Sequence, residues 1–251
     1  MTIKYPWKGL FARFAVAVLA LSPPASRMVA GQTQNQNPAG PTSQLQERVA
    51  EVKASAAKNK QALSQYSWQQ KQTISVNGQV KDTKAFEVRL GPDGKPQKTE
   101  VGNLPQSGGG EKGPGHRVKD KKIKEYKEYG QQIAALAQQY AQPNPEKLQQ
   151  AYEQGNLELA SDGGRAGQVQ MVIKNYVKPN DKVTLTFNQQ AKAIQSLHIL
   201  SYLNDPKDQV AIDAQYSQLP DGTNHISNMQ INGISKGLVV ATQNSNYQKT
   251  M

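Results

Sequence analysis

The stretch YSWQQKQTISVNGQVKDTKAFEVRL, residues 66–90, decides the fold because it encodes two β-strands and the turn between them. Apolar and polar residues alternate along both halves, which is the period of a strand with one buried face. The apolar positions are Trp68, Ile74, Val76, Phe86, Val88 and Leu90. Asn77-Gly78 separates the two halves and favours a two-residue turn. The sequence therefore predicts an antiparallel hairpin at the start of a sheet.

Strand patterns continue on the carboxyl side of this hairpin. Gly91-Pro92-Asp93-Gly94 predicts a turn before a third strand at Gln97–Val101. Seven further strands are predicted at Leu157–Ser161, Gln168–Val177, Val183–Asn188, Ala193–Leu203, Gln209–Gln218, His225–Asn232 and Leu238–Gln248. Short connections join antiparallel neighbours, so we predict one antiparallel sheet of about ten strands that must curve or be covered.

Two helical regions accompany the strands. Ser43, with Gln46 three residues later, forms a capping box and begins an amphipathic helix. Its apolar face comprises Leu45, Val49, Val52, Ala56, Leu63 and Tyr66. Helices are also predicted over Arg117–Gln142 and Glu146–Gln154, within an insertion at residues 103–155 that begins with a glycine-rich loop. The predicted fold class is α+β: a curved antiparallel sheet, or incomplete β-barrel, covering an N-terminal helix and an inserted helical hairpin.

The first thirty residues have the pattern of a secretory signal peptide. Basic residues up to Arg13 precede an uncharged run from Phe14 to Leu21, and Val29-Ala30-Gly31 offers small residues for cleavage. The apolar run is too short to span a bilayer. We therefore expect a cleaved signal, a flexible tether at residues 31–41 and a single domain at residues 42–251. The expected location is the periplasm, with release outside the cell as the alternative.

Composition narrows the function classes. The formal charge of +11 falls to +7 without the first thirty residues, which contain four basic and no acidic side chains. Only 36% of residues are hydrophobic and the mean hydropathy is −0.71, so we expect a thin core such as one sheet with one wetted face. The sequence contains no cysteine, which excludes disulfides, thiolate chemistry and a lipid-modified cysteine anchor.

Motifs for catalysis or metal binding are absent from the sequence. His116, His198 and His225 do not form the close pair that a zinc site requires. No GxSxG or SxxK motif supplies a nucleophilic serine, no EF-hand loop is present, and Gly108-Gly109-Gly110 lacks the ending of a phosphate-binding loop. We therefore expect a non-catalytic protein without a metal or other cofactor, and an enzyme ranks third among the hypotheses.

A basic cluster at the start of the long predicted helix is the most distinctive polar feature. It comprises Arg117, Lys119, Lys121, Lys122 and Lys124. Cations at a helix N-terminus oppose the helix dipole. One explanation is attraction to an anionic membrane surface or an acidic envelope protein; the other is a solvated helix face with pairs such as Lys124 with Glu128. Nucleic acid is disfavoured because no stacking aromatics of a known module accompany the cluster.

The order of elements resembles the periplasmic lipoprotein-carrier (LolA-like) superfamily. Local sequences also resemble a group of uncharacterised bacterial exported proteins with this layout. They are Tyr66-Ser67-Trp68, Phe86-Glu87-Val88-Arg89, Gly91-Pro92-Asp93-Gly94-Lys95, Leu219-Pro220-Asp221-Gly222-Thr223 and Asn244-Ser245-Asn246-Tyr247. The resemblance covers about residues 42–249 and implies an incomplete β-barrel wrapped around helices. By analogy of fold it implies a hydrophobic ligand.

The resulting hypothesis is binding of an acyl chain, lipid or lipoprotein anchor in the hollow between sheet and helices. The candidate ligand contacts are Trp68, Phe86, Val88, Tyr126, Ile133, Leu136, Phe187 and Leu197. The same residues would also serve as sheet core, and only the presence of a cavity distinguishes the two roles. The alternative function is a cell-envelope interaction or sensor module that docks through its basic helix.

Overall fold

The computed structural model describes residues 50, 54–55, 57–92, 94–103, 116–141, 145–161 and 167–250. The predicted signal peptide, the tether, the glycine-rich loop at residues 104–115 and most of the first helix lie outside these ranges. Within the described residues, no helix is both long enough and apolar enough to cross a membrane.

Within the described ranges, ten strands form one antiparallel sheet. Their bounds are β1 (Tyr66–Val76), β2 (Gln79–Leu90), β3 (Pro96–Asn103), β4 (Leu157–Ser161), β5 (Gln168–Lys174), β6 (Lys182–Asn188), β7 (Ala193–Tyr202), β8 (Gln209–Gln218), β9 (Asn224–Gly233) and β10 (Leu238–Lys249). Each lies within a few residues of the predicted strand. The largest difference is in β5, which ends at Lys174 rather than at Val177. The chain turns there because Asn175 adopts a positive φ of 54°.

The strand order is β3-β2-β1-β10-β9-β8-β7-β6-β5-β4. Every neighbouring pair is antiparallel, and the sheet is open, with β3 and β4 as its edges among the described residues. Strands β1 and β10 pair in the interior of the sheet, from Tyr66 opposite Lys249 to Val76 opposite Leu238. The predicted antiparallel sheet and α+β class are confirmed.

Three helical segments lie on the inner face of this sheet or connect its edges. α1 is described at residues 57–63, α2 is His116–Ala141 and α3 is Pro145–Glu153. The chain therefore passes from edge strand β3 to edge strand β4 through α2 and α3. The predicted bounds of both helices in the insertion are confirmed to within one residue.

Two hydrophobic cores occupy the inner face. The large core joins α2 and α3 to most of the strands, and its fully buried members include Ile133, Ile231 and Leu238. The small core lies at the β1–β2 side, and Leu63 of α1 packs into it. Its members are Leu63, Trp68, Phe86, Val88 and Leu90, with Tyr247 packed against them.

The middle of α2 lies close to the end of β9. A Cβ atom on Gly233 would stand 2.4 Å from Cε1 of Tyr129, so a side chain at this position is excluded. The hydroxyl of Tyr129 donates to Oδ1 of Asp208 at 2.9 Å. Burial, together with this bond to a carboxylate, raises the pKa of Tyr129 to about 12. These contacts hold the middle of α2 against the turns that follow β7 and β9.

The end of α2 is anchored by a buried polar cluster. The Tyr140 hydroxyl lies 2.6 Å from Oδ2 of Asp181 and 2.7 Å from Oγ of Ser201. The same carboxylate accepts backbone N–H groups from Tyr176, Val177 and Lys178 at 2.6 to 2.8 Å. Asp181 is 1% exposed, and its bonds to these donors offset the cost of burying its charge. The polar groups at this end of the large core therefore satisfy one another.

Candidate functional site

A polar band crosses the inner face between the two cores. In β1 every second residue from Tyr66 to Val76 is buried, so Gln70 and Gln72 lie in phase with Trp68 and Ile74. Thr242 of β10 lies opposite Gln72, and Asn244 lies opposite Gln70. Gln70 and Gln72 are only 7% and 2% exposed. Burying an amide without a hydrogen-bond partner costs free energy, so this band requires an explanation.

A small cavity adjoins the polar band. Its polar lining includes the two glutamines, Asn244 and Lys98, and its apolar lining includes Leu63, Trp68, Ile226, Met229, Ile231 and Val240. It offers about 30 Å³ to the centres of water-sized molecules, which is room for about two waters. The cavity therefore combines apolar walls with several polar groups at one place, as small-molecule sites do.

The hydrogen bonds around Gln70 fix its orientation. Nδ2 of Asn244 donates to the carbonyl oxygen of Ile226 at 2.8 Å, because a carbonyl can only accept. Oδ1 of Asn244 consequently accepts, and Nε2 of Gln70 donates to it at 2.9 Å. The remaining oxygen, Oε1 of Gln70, is buried without a hydrogen-bond partner among the described residues. A backbone carbonyl on β9 thus determines that Gln70 presents an acceptor.

Two further polar atoms beside the cavity are also buried without hydrogen-bond partners in the part of the chain that the structure describes. They are Oε1 of Gln72 and Nε1 of Trp68. The Trp68 ring stacks on the Tyr247 ring with their centroids 5.4 Å apart, and the centroids of the Tyr247 and His225 rings are 4.1 Å apart. This aromatic stack fixes the indole in place. Burial lowers the pKa of His225, which favours a neutral ring in the stack.

A cation lies at the β3 side of the cavity. Lys98 is partly buried, and desolvation lowers its pKa to about 8. Its Nζ lies 5.7 Å from the centroid of the Phe86 ring. Nearby, Nζ of Lys84 pairs with Oε2 of Glu100 at 3.2 Å. The edge of the inner face therefore carries charge beside the small core.

The structure divides the eight predicted ligand contacts between the two cores. Trp68, Phe86 and Val88 belong to the small core. The other five lie in the large core or pack against it: Tyr126, Ile133, Leu136, Phe187 and Leu197. Of the eight, Trp68 lines the cavity beside the polar band. One continuous site formed by all eight is therefore not present, and their role as ligand contacts stays a prediction.

Sequence reasoning missed the polar members of this cavity. Gln70 and Gln72 occupy inward positions of a strand whose other inward residues are apolar, and that break in the pattern was a usable signal. Lys98 alternates in the same way on β3, opposite Val88. The involvement of Asn244 depends on the pairing of β1 with β10, for which the sequence carries no local signal.

The basic cluster is only partly covered by the described side chains. Those of Arg117 and Lys119 lie outside them, whereas Lys121, Lys122 and Lys124 are exposed. Nζ of Lys124 lies 3.9 Å from Oε1 of Glu128. Glu125 pairs with Lys236, whose bond lowers the pKa of that carboxyl. The predicted pair of Lys124 with Glu128 is confirmed, and what the remaining cations bind stays a prediction.

The histidines have different surroundings. Nδ1 of His198 lies 2.5 Å from Oδ1 of Asp213, and both side chains are about half exposed on the sheet face opposite the cores. His225 lies within the aromatic stack, and the side chain of His116 is outside the described set. No group of three or more His, Asp or Glu residues that could hold a metal ion occurs among the residues described.

Comparisons with known proteins identify no family for this chain. No family model matches the chain, and no curated protein matches it. Among solved structures, it is similar to a DUF1329 family protein from Desulfovibrio piger. The two are 13% identical, the match covers 81% of this chain and 93% of the other, and the TM-score is 0.39.

Proposed function

We propose that the protein is an exported, non-catalytic binding protein that takes up an amphipathic ligand at the cavity beside the polar band. One observation carries the proposal. Three buried polar atoms without hydrogen-bond partners among the described residues, on Trp68, Gln70 and Gln72, meet apolar walls at one place on the inner face. An amphiphile presents both kinds of surface, so its head group would meet the polar band and its chain the apolar walls.

The cavity must enlarge to admit an acyl chain, and α1 is the element whose displacement would do this. Leu63 lines the cavity and fills the small core from α1. The helix is held across from β9 by a pair of hydrogen bonds. Nδ2 of Asn59 donates to the carbonyl oxygen of Asn224 at 2.7 Å, and the N–H of Asn224 donates to Oδ1 of Asn59 at 2.5 Å. Release of Asn59 and withdrawal of Leu63 would open the small core to a chain.

The proposal includes the more detailed hypothesis that the sheet is an incomplete β-barrel. The open sheet and its inner helices fit the incomplete β-barrel of the LolA-like resemblance, and the ligand is expected to be an acyl chain, lipid or lipoprotein anchor. Export to the periplasm, as the first thirty residues indicate, accords with such a ligand. The protein would need neither cofactor nor metal for this role.

The direct test uses Trp68 as a reporter. The chain contains two tryptophans, Trp7 and Trp68, and Trp7 lies in the predicted signal peptide. An acyl chain brominated along its length quenches a tryptophan that it contacts, whereas the unbrominated chain serves as the matched control. We expect selective quenching of Trp68 by the brominated chain. Equal fluorescence with both chains, together with native mass spectra that show no retained lipid, would refute binding at this cavity.

A second candidate function is docking on an anionic membrane surface. The pair of Lys236 with Glu125 places the turn at residues 234–236 beside the basic part of α2, and Ile234 in that turn is 47% exposed. An exposed apolar side chain beside lysines suits the interface of an anionic bilayer. Reversal of the charge at Lys121, Lys122 and Lys124 should then weaken binding to anionic vesicles. Vesicle binding that does not depend on salt concentration would exclude this role.

A further inference from the structure

The three unpartnered atoms of the polar band do not suit a simple ester head group, whereas a carboxylate could pair with Lys98, which also lines the cavity. Two of the three buried, unpartnered atoms beside the cavity are amide oxygens, which accept hydrogen bonds and cannot donate them. The third is the indole N–H of Trp68, which can only donate. A carboxylate or an ester would bring acceptors alone and would leave Gln70 and Gln72 unsatisfied.

Turning over the Gln70 amide group cannot replace its unpartnered acceptor with a donor. Its Nε2 is committed to Asn244, and Asn244 is itself committed to the carbonyl oxygen of Ile226. Rotation of either amide would place two donors or two acceptors against each other. The backbone of β9 therefore fixes an acceptor at this point of the inner face, whatever occupies the cavity.

From this polarity we infer that the ligand carries a hydrogen-bond donor on its head group, and that a hydroxylated head such as that of a monoacylglycerol fits the site best. A hydroxyl can donate to Gln70 or Gln72 and also accept from the indole of Trp68. An amide N–H would satisfy the glutamines equally well. The inference rests on the proposed function, because it specifies the chemistry of the ligand at the same cavity.

The test compares three amphiphiles that share a twelve-carbon chain. Monolauroylglycerol supplies hydroxyl donors, N-methyl lauramide supplies an amide donor, and methyl laurate supplies acceptors alone. The purified protein is titrated with each, and the fluorescence of Trp68 and calorimetry report the affinity. We expect one or both of the donor-bearing amphiphiles to bind about tenfold or more tightly than methyl laurate, as one gained buried hydrogen bond allows. The two donor arms distinguish hydroxylated lipids from amide-linked acyl groups.

The variants Gln70→Met and Gln72→Met assign the preference to the polar band. Methionine keeps a similar length and removes the acceptor, so the preference over methyl laurate should fall to about twofold or less in at least one of the two variants. Gln243→Met on β10 is the matched control, because Gln243 is exposed and does not line this cavity. A preference that persists in both inner variants, at unchanged far-ultraviolet circular dichroism, would overturn the inference.

The remaining outcomes separate the two proposals. If methyl laurate binds as tightly as the donor-bearing amphiphiles, water satisfies the glutamines and the inference is wrong, while the proposed function stands. If none of the three binds, the proposed function is wrong as well. If the unmodified protein discriminates and the Gln70→Met variant does not fold, Gln72→Met still decides the matter.

Discussion

The two halves of the inner face are completed in different ways. Beneath α2, the large core ends in a polar cluster in which Asp181 accepts from three backbone N–H groups and lies 2.6 Å from the Tyr140 hydroxyl. Beneath α1, the small core adjoins buried polar atoms of Trp68, Gln70 and Gln72 that lack partners among the described residues. The first half has the properties of a stabilised core and the second those of a site. Under the proposed function, this difference gives α2 a stabilising role and α1 a role in binding.

The strongest challenge to this comparison is the removal of Asp181. The Asp181→Ala variant would remove the acceptor of one buried and two partly buried N–H groups and would leave the Tyr140 hydroxyl with Ser201 alone, so we expect a loss of about 3 to 5 kcal/mol in the free energy of unfolding. Denaturant unfolding measures this loss. Asp205→Ala is the matched control, because its carboxylate accepts from the N–H of Lys207 at an exposed turn. Similar losses in the two variants would remove the basis for treating the α2 half as the stabilised one.

A pair of cavity-forming variants compares the helices directly. Ile133 of α2 and Leu63 of α1 are 0% and 1% exposed, so a uniform core would respond alike to alanine at either position. We expect Ile133→Ala to lower the free energy of unfolding by about 3 to 4 kcal/mol. Leu63→Ala should lower it by about half as much, because α1 can shift toward the sheet and fill part of the cavity. Leu63→Ala should also bind amphiphiles more tightly, since it widens the cavity. Equal costs in the unfolding curves, without a gain in binding, would contradict the division.

The pH dependence of stability sharpens the comparison at the β3 edge. Burial lowers the pKa of Lys98 from 10.5 to about 8. Between these values the unfolded chain retains a proton that the folded protein has lost, so stability contributed by this group rises with pH. We expect the unfolding free energy of the unmodified protein, relative to that of Lys98→Met, to rise by about 2 kcal/mol from pH 7.5 to pH 9.5.

That interval lies below the range in which the tyrosines titrate. Burial raises the pKa of Tyr140, Tyr216 and Tyr247, so their effect on stability begins above about pH 10 and has the opposite sign. Lys98→Arg, which keeps the charge throughout the interval, is the control for lysine chemistry. A difference curve that stays flat would show that Lys98 is solvated like a surface lysine.

The smallest expected effect concerns the polar band itself. Gln72→Met replaces a buried amide whose oxygen lacks a partner, so we expect a gain of about 0.5 to 1 kcal/mol in stability. Thermal unfolding with Gln243→Met alongside measures it. A gain in stability accompanied by weaker ligand binding is the signature of a residue kept for function. A clear loss of stability would mean that Gln72 is satisfied in the folded protein.

Much of the fold was readable from the sequence because its signals are local. Turns such as Asn77-Gly78 and Pro220-Asp221-Gly222 bracket strands whose alternation fixes the inward residues. The predicted end of β5 was wrong because the backbone N–H groups of residues 176–178 donate to the Asp181 carboxylate instead of to a neighbouring strand. Asp181 lies beyond the predicted strand Gln168–Val177, so no pattern within that strand could indicate this contact. The fold class thus follows from periodicity, whereas its exceptions follow from single tertiary hydrogen bonds.

The site was less readable for a related reason. The sequence analysis followed the apolar side chains and placed Trp68, Ile133 and Phe187 in one hollow, although α2 fills the part that Ile133 and Phe187 occupy. The acceptor on Gln70 depends on Asn244 and Ile226, two residues on strands more than 150 positions away. Polarity of this kind comes from neighbours across a sheet, and the periodicity of one strand does not contain it.

The pairing of β1 with β10 also governs when the sheet can form. Strand β1 gains its neighbour on one side only after strand β10, Leu238–Lys249, has been synthesised. Contacts at so long a sequence separation slow folding. Strands β4 to β10, by contrast, form a meander of neighbours in chain order. The C-terminal seven strands are therefore expected to assemble first, and the half that bears the polar band to be added as the concluding step of biogenesis.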